Sequence, residues 1–202
     1  MKVLCSANTT EKLIAISFDD GPVQQYTPQV LEVLKEQKVP AAFFCIGKRI
    51  VENESLFRQV HEQGHIIGNH SFSHKPLFDL LPAGQMMHDV RMTDAAIKES
   101  IGLQPKLFRP PYGITTPAMK KTMIKGGYTA IGWSIRSFDT MAKDEKKLLN
   151  KLIRLLRPGA IILLHDTQKI TLSILPRFIQ AARNEGYEFE RLDKLLNVKG
   201  YA

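Results

Sequence analysis

Seven short runs rich in Ile, Val, Leu and Phe, most of them apolar without interruption, recur along the chain. Segments of helical periodicity separate them, and Gly or Pro punctuates the joins. Strands that read as continuously apolar are buried on both faces, as happens when a sheet is parallel and covered by helices. The runs lie at 13–19, 41–47, 65–70, 107–110, 128–135, 160–165 and 187–191, with helices predicted at 28–37, 55–63, 83–100, 117–125, 143–156 and 171–184. Thr27 before Pro28 reads as an N-cap with proline in the first turn. Gly64, Gly102, Gly126 and Gly186 stand where helices need a left-handed stop. A complete eight-unit barrel takes about 250 residues; the 202 here fit a smaller, irregular barrel. An open doubly wound sheet is the alternative. No interior linker, repeat or low-complexity segment divides 1–202, so one domain is expected.

Composition narrows the function. Apolar residues make up 44% of the chain, enough for a core, yet no stretch approaches the roughly 20 apolar residues that span a bilayer. The start, MKVLCSANTTEK, holds too short an apolar run for a secretory signal. The expected location is the cytoplasm for the sequence as it stands, or the cell envelope or exterior if an export segment precedes it. The net charge of +8 favours solubility and attraction to an anionic polymer, but the bases are scattered on helix faces without interleaved aromatics. Nucleic acid is therefore not an expected partner. Cys5 and Cys45 are isolated thiols with no metal or redox spacing. Nothing in the sequence sets the oligomeric state.

The polar residues fall in a pattern. Asp19 and Asp20 end the first run, His70 ends the third with His74 after it, Arg109 ends the fourth, Asp139 follows the fifth and its Trp133, and His165 ends the sixth. In parallel α/β folds the carboxyl ends of the strands share one face, where active sites are built. Five strands deliver an ionisable group there. His61, His65 and His88 fall elsewhere and are expected to be structural.

Two adjacent carboxylates repel unless something positive sits between them. His70 and His74, one turn apart if HSFSH coils, could turn both rings on one ion, and one carboxylate would complete a catalytic set with room for water. Zinc suits such ligands best; cobalt, nickel, iron and manganese also accept them. If Asp20 binds the metal, Asp19 is free to take a proton from the metal-bound water as it attacks. Arg109 would hold Asp19 ionised, and His165 could protonate a departing amine or alcohol. That describes metal-assisted hydrolysis of an amide or ester.

In order, SFDDG, HSFSH, RPPYG, WSIRSFD and LLHD resemble the five motifs of the polysaccharide deacetylases, the NodB-homology proteins of carbohydrate esterase family four. The resemblance implies a distorted (β/α)7 barrel of mostly parallel strands and a divalent metal held by Asp20, His70 and His74. It implies Asp19 as general base, His165 as general acid, Arg109 as tether of the base and Asp139 as tuner of the cluster. The backbone N–H of Tyr112 would help bind the oxyanion, and Leu163 and Trp133 would line the acetyl pocket. The expected substrate is an N- or O-acetylated oligo- or polysaccharide of chitin, peptidoglycan or acetylxylan type. A non-catalytic carbohydrate-binding module and an amidohydrolase or deformylase on another small amide are the alternatives. Two positions depart from the family pattern: Arg136 and Thr140 stand where an Asp and a Trp are common.

Overall fold

The computed structural model describes residues 2–202. Eight strands are present: β1 (Leu13–Asp19), β2 (Ala41–Cys45), β3 (Ile66–Asn69), β4 (Leu107–Phe108), β5 (Thr129–Ala130), β6 (Ile135–Arg136), β7 (Ile161–His165) and β8 (Glu188–Phe189). Around them lie α1 (Thr27–Glu36), α2 (Gly47–Glu52), α3 (Glu54–Glu62), α4 (Ala83–Ile101), α5 (Pro117–Gly126), α6 (Glu145–Arg154), α7 (Lys169–Asn184) and α8 (Leu192–Leu196). Seven strands run in the order β5-β4-β3-β2-β1-β7-β6, with β8 paired to the start of β1. Every pairing between named strands is parallel.

That order forces curvature. The outermost strands, β5 and β6, are consecutive in sequence and joined only by Ile131 to Ser134. Five Cα steps reach at most about 18 Å, whereas seven strands laid flat would separate their edges by roughly 29 Å. The sheet therefore curls into a barrel left open between β5 and β6. The N-terminal segment lies along the opening, Leu4 bridging Ile131 and Ser6 bridging Ala160. This is the single, irregular α/β barrel that the alternation predicts, rather than the doubly wound sheet.

Strand alternation sorts the side chains. Ile14, Ile16 and Phe18 of β1 and Ile162 and Leu164 of β7 face the helices, in the same core as Leu31, Phe57 and Phe178. The residues between them, Ala15, Ser17 and Asp19 on β1 and Ile161, Leu163 and His165 on β7, turn inward. Ala15, Ala42, Phe44, Ile66, Leu107 and Ile161 pack inside with Leu192 of α8. The barrel is thus filled with apolar side chains at its amino end, and its inward polar groups gather at the carboxyl rim.

Several predicted elements are corrected. The run 128–135 is two strands on opposite edges, because Ile131–Ser134 is the link that crosses the opening. The short helices α2 and α8 escape the sequence reading, being five or six residues long and too short to show periodicity. Thr27 is the first residue of α1 and not its cap: Tyr26 precedes it, and no side chain caps the helix. The Thr27 hydroxyl instead accepts from the Val23 N–H at 2.8 Å and donates to Asp166 at 2.6 Å. The left-handed stop of α5 is Gly127 (φ 68°), while Gly126 is still helical.

Candidate active site

The two adjacent carboxylates point at different partners. Asp19 ends β1 with its side chain inward and only 3% exposed. Asp20 then takes a left-handed backbone (φ 77°), which turns its carboxylate away. Asp19 Oδ1 accepts from Arg109 Nη1 at 2.6 Å. Asp20 Oδ1 lies 3.6 Å from His70 Nε2 and 3.5 Å from His74 Nε2. Register does the rest: Asp19 pairs with His165 across β1 and β7, and Ser17 with Leu163.

HSFSH is a loop, not a helical turn, with Ser71 and His74 in left-handed conformations (φ 66° and 44°). Side chains supply the hydrogen bonds a helix would have made. Asn69 Oδ1 accepts from Ser71 N–H at 2.8 Å, Asp89 on α4 from Phe72 N–H at 2.6 Å, and Ser71 Oγ from His74 N–H at 3.1 Å. The two imidazoles still meet, with ring centres 4.8 Å apart.

The donor set suits a divalent cation. The carbonyl of Arg109 can only accept, so His70 Nδ1, 2.7 Å away, carries the hydrogen and Nε2 offers its lone pair. Burial, then the neighbouring His70, lowers the pKa of His74. Ligand atoms of Asp20, His70 and His74 all lie within 4.8 Å of one another. Three lone-pair groups converge with no donor between them, and about 3.4 Å is the spacing that bonds of about 2.1 Å to a tetrahedral zinc would give.

Arg109 is wholly buried, and its charge is accounted for. Nη1 donates to Asp19 and to Ser17 Oγ (2.9 Å), Nη2 to Gly132 O (2.8 Å) and Nε to Ile131 O (3.4 Å), while the guanidinium lies 4.0 Å from the Phe44 ring centre. Burial lowers its pKa, and the charge of Asp19 opposes that. Asp19 Oδ2 remains turned toward His70 Nε2, 3.8 Å away.

Beside Asp19 on the neighbouring strand, His165 Nδ1 donates to Asp139 Oδ1 at 2.7 Å. Asp139, 1% exposed, also accepts from His165 N–H (2.7 Å), Thr171 Oγ1 (2.6 Å), Ser137 Oγ (2.8 Å) and Thr140 N–H (3.0 Å). Burial would raise the Asp139 pKa, but His165 and these donors hold it below the usual carboxylate range. Burial would lower His165, yet the hydrogen bond and charge of Asp139 outweigh it and bring the imidazole to about 8.

A cavity of about 190 Å³ joins both halves, lined by Asp19, Asp20, His70, His74 and His165 together with Tyr112, Trp133, Arg136, Thr140 and Leu163. Tyr112 is left-handed (φ 58°), and its N–H donates to no protein acceptor among the described residues. Gly113 follows at φ +71°, and a Cβ there would overlap the Trp133 ring. All ten site residues picked out in the sequence thus lie in or against one cavity. The other histidines stand apart. His65 accepts from Ala41 N–H at the amino end of β3, with its pKa lowered to about 4 by burial, while His61 and His88 lie on α3 and α4.

The sequence reading missed the supporting groups. Ser17 braces Arg109, Asp89 shapes the histidine loop, and Thr171 braces Asp139; each is a common residue type in an unremarkable context. Asp166 beside His165 is fully buried, bonded to Thr27, and packed so tightly under Gly21 that a Cβ there would strike its carboxyl. Burial, opposed by Thr27 and aided by the charge of Asp20, raises its pKa to about 7.

A parallel barrel that gathers such groups at one rim is built as hydrolases that attack a polarised carbonyl are built. The chain belongs to the polysaccharide deacetylase family, whose profile matches residues 6–131, more than half of its length. It is 34% identical over 194 residues to a peptidoglycan-N-acetylglucosamine deacetylase of Bacillus cereus, covering 94% of this chain and 90% of that protein. It is 32% identical to a chitooligosaccharide deacetylase of a Bradyrhizobium strain, covering 90% of each. These matches extend past residue 131, where Asp139 and His165 lie. In fold it is similar to a peptidoglycan N-acetylglucosamine deacetylase solved with 4-naphthalen-1-yl-N-oxidanyl-benzamide (TM-score 0.94, 24% identity, 99% of this chain and 95% of that one). The same fold occurs in a CE4 family pseudoenzyme from Bacillus anthracis (TM-score 0.90, 24% identity, 96% of this chain and 69% of that one). Fold alone therefore does not guarantee turnover; the side chains must be present.

Proposed function

We propose that this protein removes the N-acetyl group from an amino-sugar glycan of peptidoglycan or chitooligosaccharide type, with a divalent ion, zinc by its ligand set, held by Asp20, His70 and His74. One observation carries the reading: a carboxylate tied to an arginine and an imidazole tied to a carboxylate both line the cavity that holds the ligand cluster. A bound divalent ion would supply Lewis acidity to the acetyl carbonyl and acidify the attacking water.

The chain's own groups supply the rest. Arg109 fixes Asp19 Oδ1, so that Oδ2 accepts the proton of the water as it adds to the carbonyl carbon. The free N–H of Tyr112 donates to the oxygen on which negative charge develops. Leu163 and Trp133 exclude water around the acetyl methyl. His165, protonated at neutral pH because of Asp139, gives a proton to the sugar nitrogen as the C–N bond breaks, leaving acetate and a free amine. The cavity's small volume fits an acetamido group, with the glycan lying across its mouth.

Acetate release from chitin oligomers, peptidoglycan strands and acetylated xylan tests this reading. Acetate is expected from an N-acetylated glycan, and Asp19→Asn should abolish it while leaving bound metal in place. Formate or ammonia instead of acetate, or near-normal acetate release by the variant, would contradict it. Sugar binding without any release would support the non-catalytic alternative.

A further inference from the structure

If the deacetylase reading holds, one wall of the cavity bears on the identity of the glycan. Arg136, at the end of β6, is exposed and lines the cavity. Its guanidinium carbon lies 4.6 Å from the Phe138 ring centre and 5.7 Å from that of Trp133, which fixes its direction by cation–π attraction. Among the described residues it has no ion pair and no side-chain hydrogen bond. The carboxylates of the rim are already committed: Asp19 to Arg109, Asp20 to the histidines and Asp139 to His165.

A second cation reinforces the charge. Lys151 Nζ donates to Ser137 O at 2.9 Å and lies 4.3 Å from the Phe138 ring centre. Burial, and then the charge of Arg136, lowers its pKa, so the two cations feel one another. The segment from Ser137 to Met141 also walls an adjoining cavity of about 420 Å³ whose charged residues are Lys143, Lys147, Lys151 and Asp144, the last 3.9 Å from Lys147 Nζ. Along this adjoining wall three cations stand against one carboxylate, so positive charge predominates outward from the catalytic mouth. Removing Arg136 would leave no buried group unsatisfied, so the fold does not need it. A neutral N-acetyl sugar does not need it either.

We propose that Arg136 is a specificity-determining residue that reads a carboxylate carried by the glycan, so that the substrate is an acid-substituted N-acetylhexosamine polymer rather than a neutral one. The guanidinium fork suits a carboxylate, and two aromatic rings hold it ready.

The test compares acetate release by zinc-loaded protein from three glycans of equal length. One is chitohexaose, one carries a 3-O-lactyl carboxylate on alternate sugars, and one is the same strand with that carboxylate as its methyl ester. The wild type should favour the free acid over the ester about tenfold in kcat/KM, as expected for one charge-assisted hydrogen bond at a partly exposed site. Arg136→Ala should bring that ratio close to one, chiefly through KM, and Arg136→Lys should keep part of it. Added salt should shrink the wild-type ratio. Equal rates on acid and ester, or a preference surviving in Arg136→Ala, would overturn the assignment. If no strand releases acetate, the deacetylase reading itself fails, and equilibrium binding of the acid and ester strands decides the role of Arg136 by the same two criteria.

Discussion

Replacing Asp139 by Asn separates the charge of this residue from its shape. The amide keeps the volume and one acceptor for His165 Nδ1–H, but loses the charge that raises the imidazole to about 8 against the pull of burial. Without that charge the imidazole should fall toward its ordinary 6.5, since burial lowers it and only the lesser pull of the Asp19 and Asp20 charges still raises it. The difference of about 1.5 pH units is worth about 2 kcal/mol. At pH 8 a group with a pKa of about 8 is half protonated, whereas one at 6.5 is about 3% protonated, a loss of roughly fifteenfold in competent acid. The assay is kcat/KM for acetate release from pH 5 to 10. The alkaline limb of Asp139→Asn should lie up to about 1.5 pH units below that of the wild type. A cation seated beside Asp20 would lower both limbs together, so the difference between the proteins is the readout. An unmoved limb, with the variant's thermal midpoint close to wild type, would refute the link between Asp139 and His165. The same raised pKa makes the pair stabilising: its contribution is complete below about pH 6.5 and lost as the pH rises through about 8.

Other perturbations have definite outcomes. Arg109→Lys keeps one charge but cannot reach Asp19, Ser17 and two backbone carbonyls together; urea unfolding should show a loss of about 3 kcal/mol or more, and a loss under 1 kcal/mol would contradict the accounting. Gly113→Ala places a methyl against Trp133 at φ +71°, and should cost about 1–3 kcal/mol of stability and lower acetate release; an unchanged thermal midpoint would count against that contact. Asp89→Ala removes the acceptor for Phe72 N–H and should weaken metal retention without touching a ligand, as read by dialysis against chelator; wild-type retention would show that the loop holds itself.

Much of the barrel is legible in the residues. The run LIAISFD reads as a buried strand because it is one, bounded as expected at Leu13 and Asp19. Polar groups at strand ends could be grouped because parallel strands expose their carboxyl ends together. Where the reading failed, the cause was long-range. The apolar run 128–135 looks like one strand, since hydrophobicity does not register that its halves belong to opposite sheet edges. The spacing of His70 and His74 suggested a helical turn, but Asn69, Ser71 and Asp89 build a loop that brings the rings to the same place. Thr27 carries every local mark of a cap, yet its hydroxyl is drawn to Asp166, 139 residues away. Asp166 itself gave no signal, because a buried carboxyl is distinguished by its neighbours and not by its position in LLHD. Arg136 was visible only as a departure from the family pattern, and its meaning needed the cavity.

Crystals grown with zinc, recorded at the zinc absorption edge, test the central claim most directly. The account predicts one anomalous peak in the rim cavity, within about 2.3 Å of an Asp20 oxygen and of Nε2 of His70 and of His74. A peak bound by other residues, or none in zinc-saturated crystals, would contradict it.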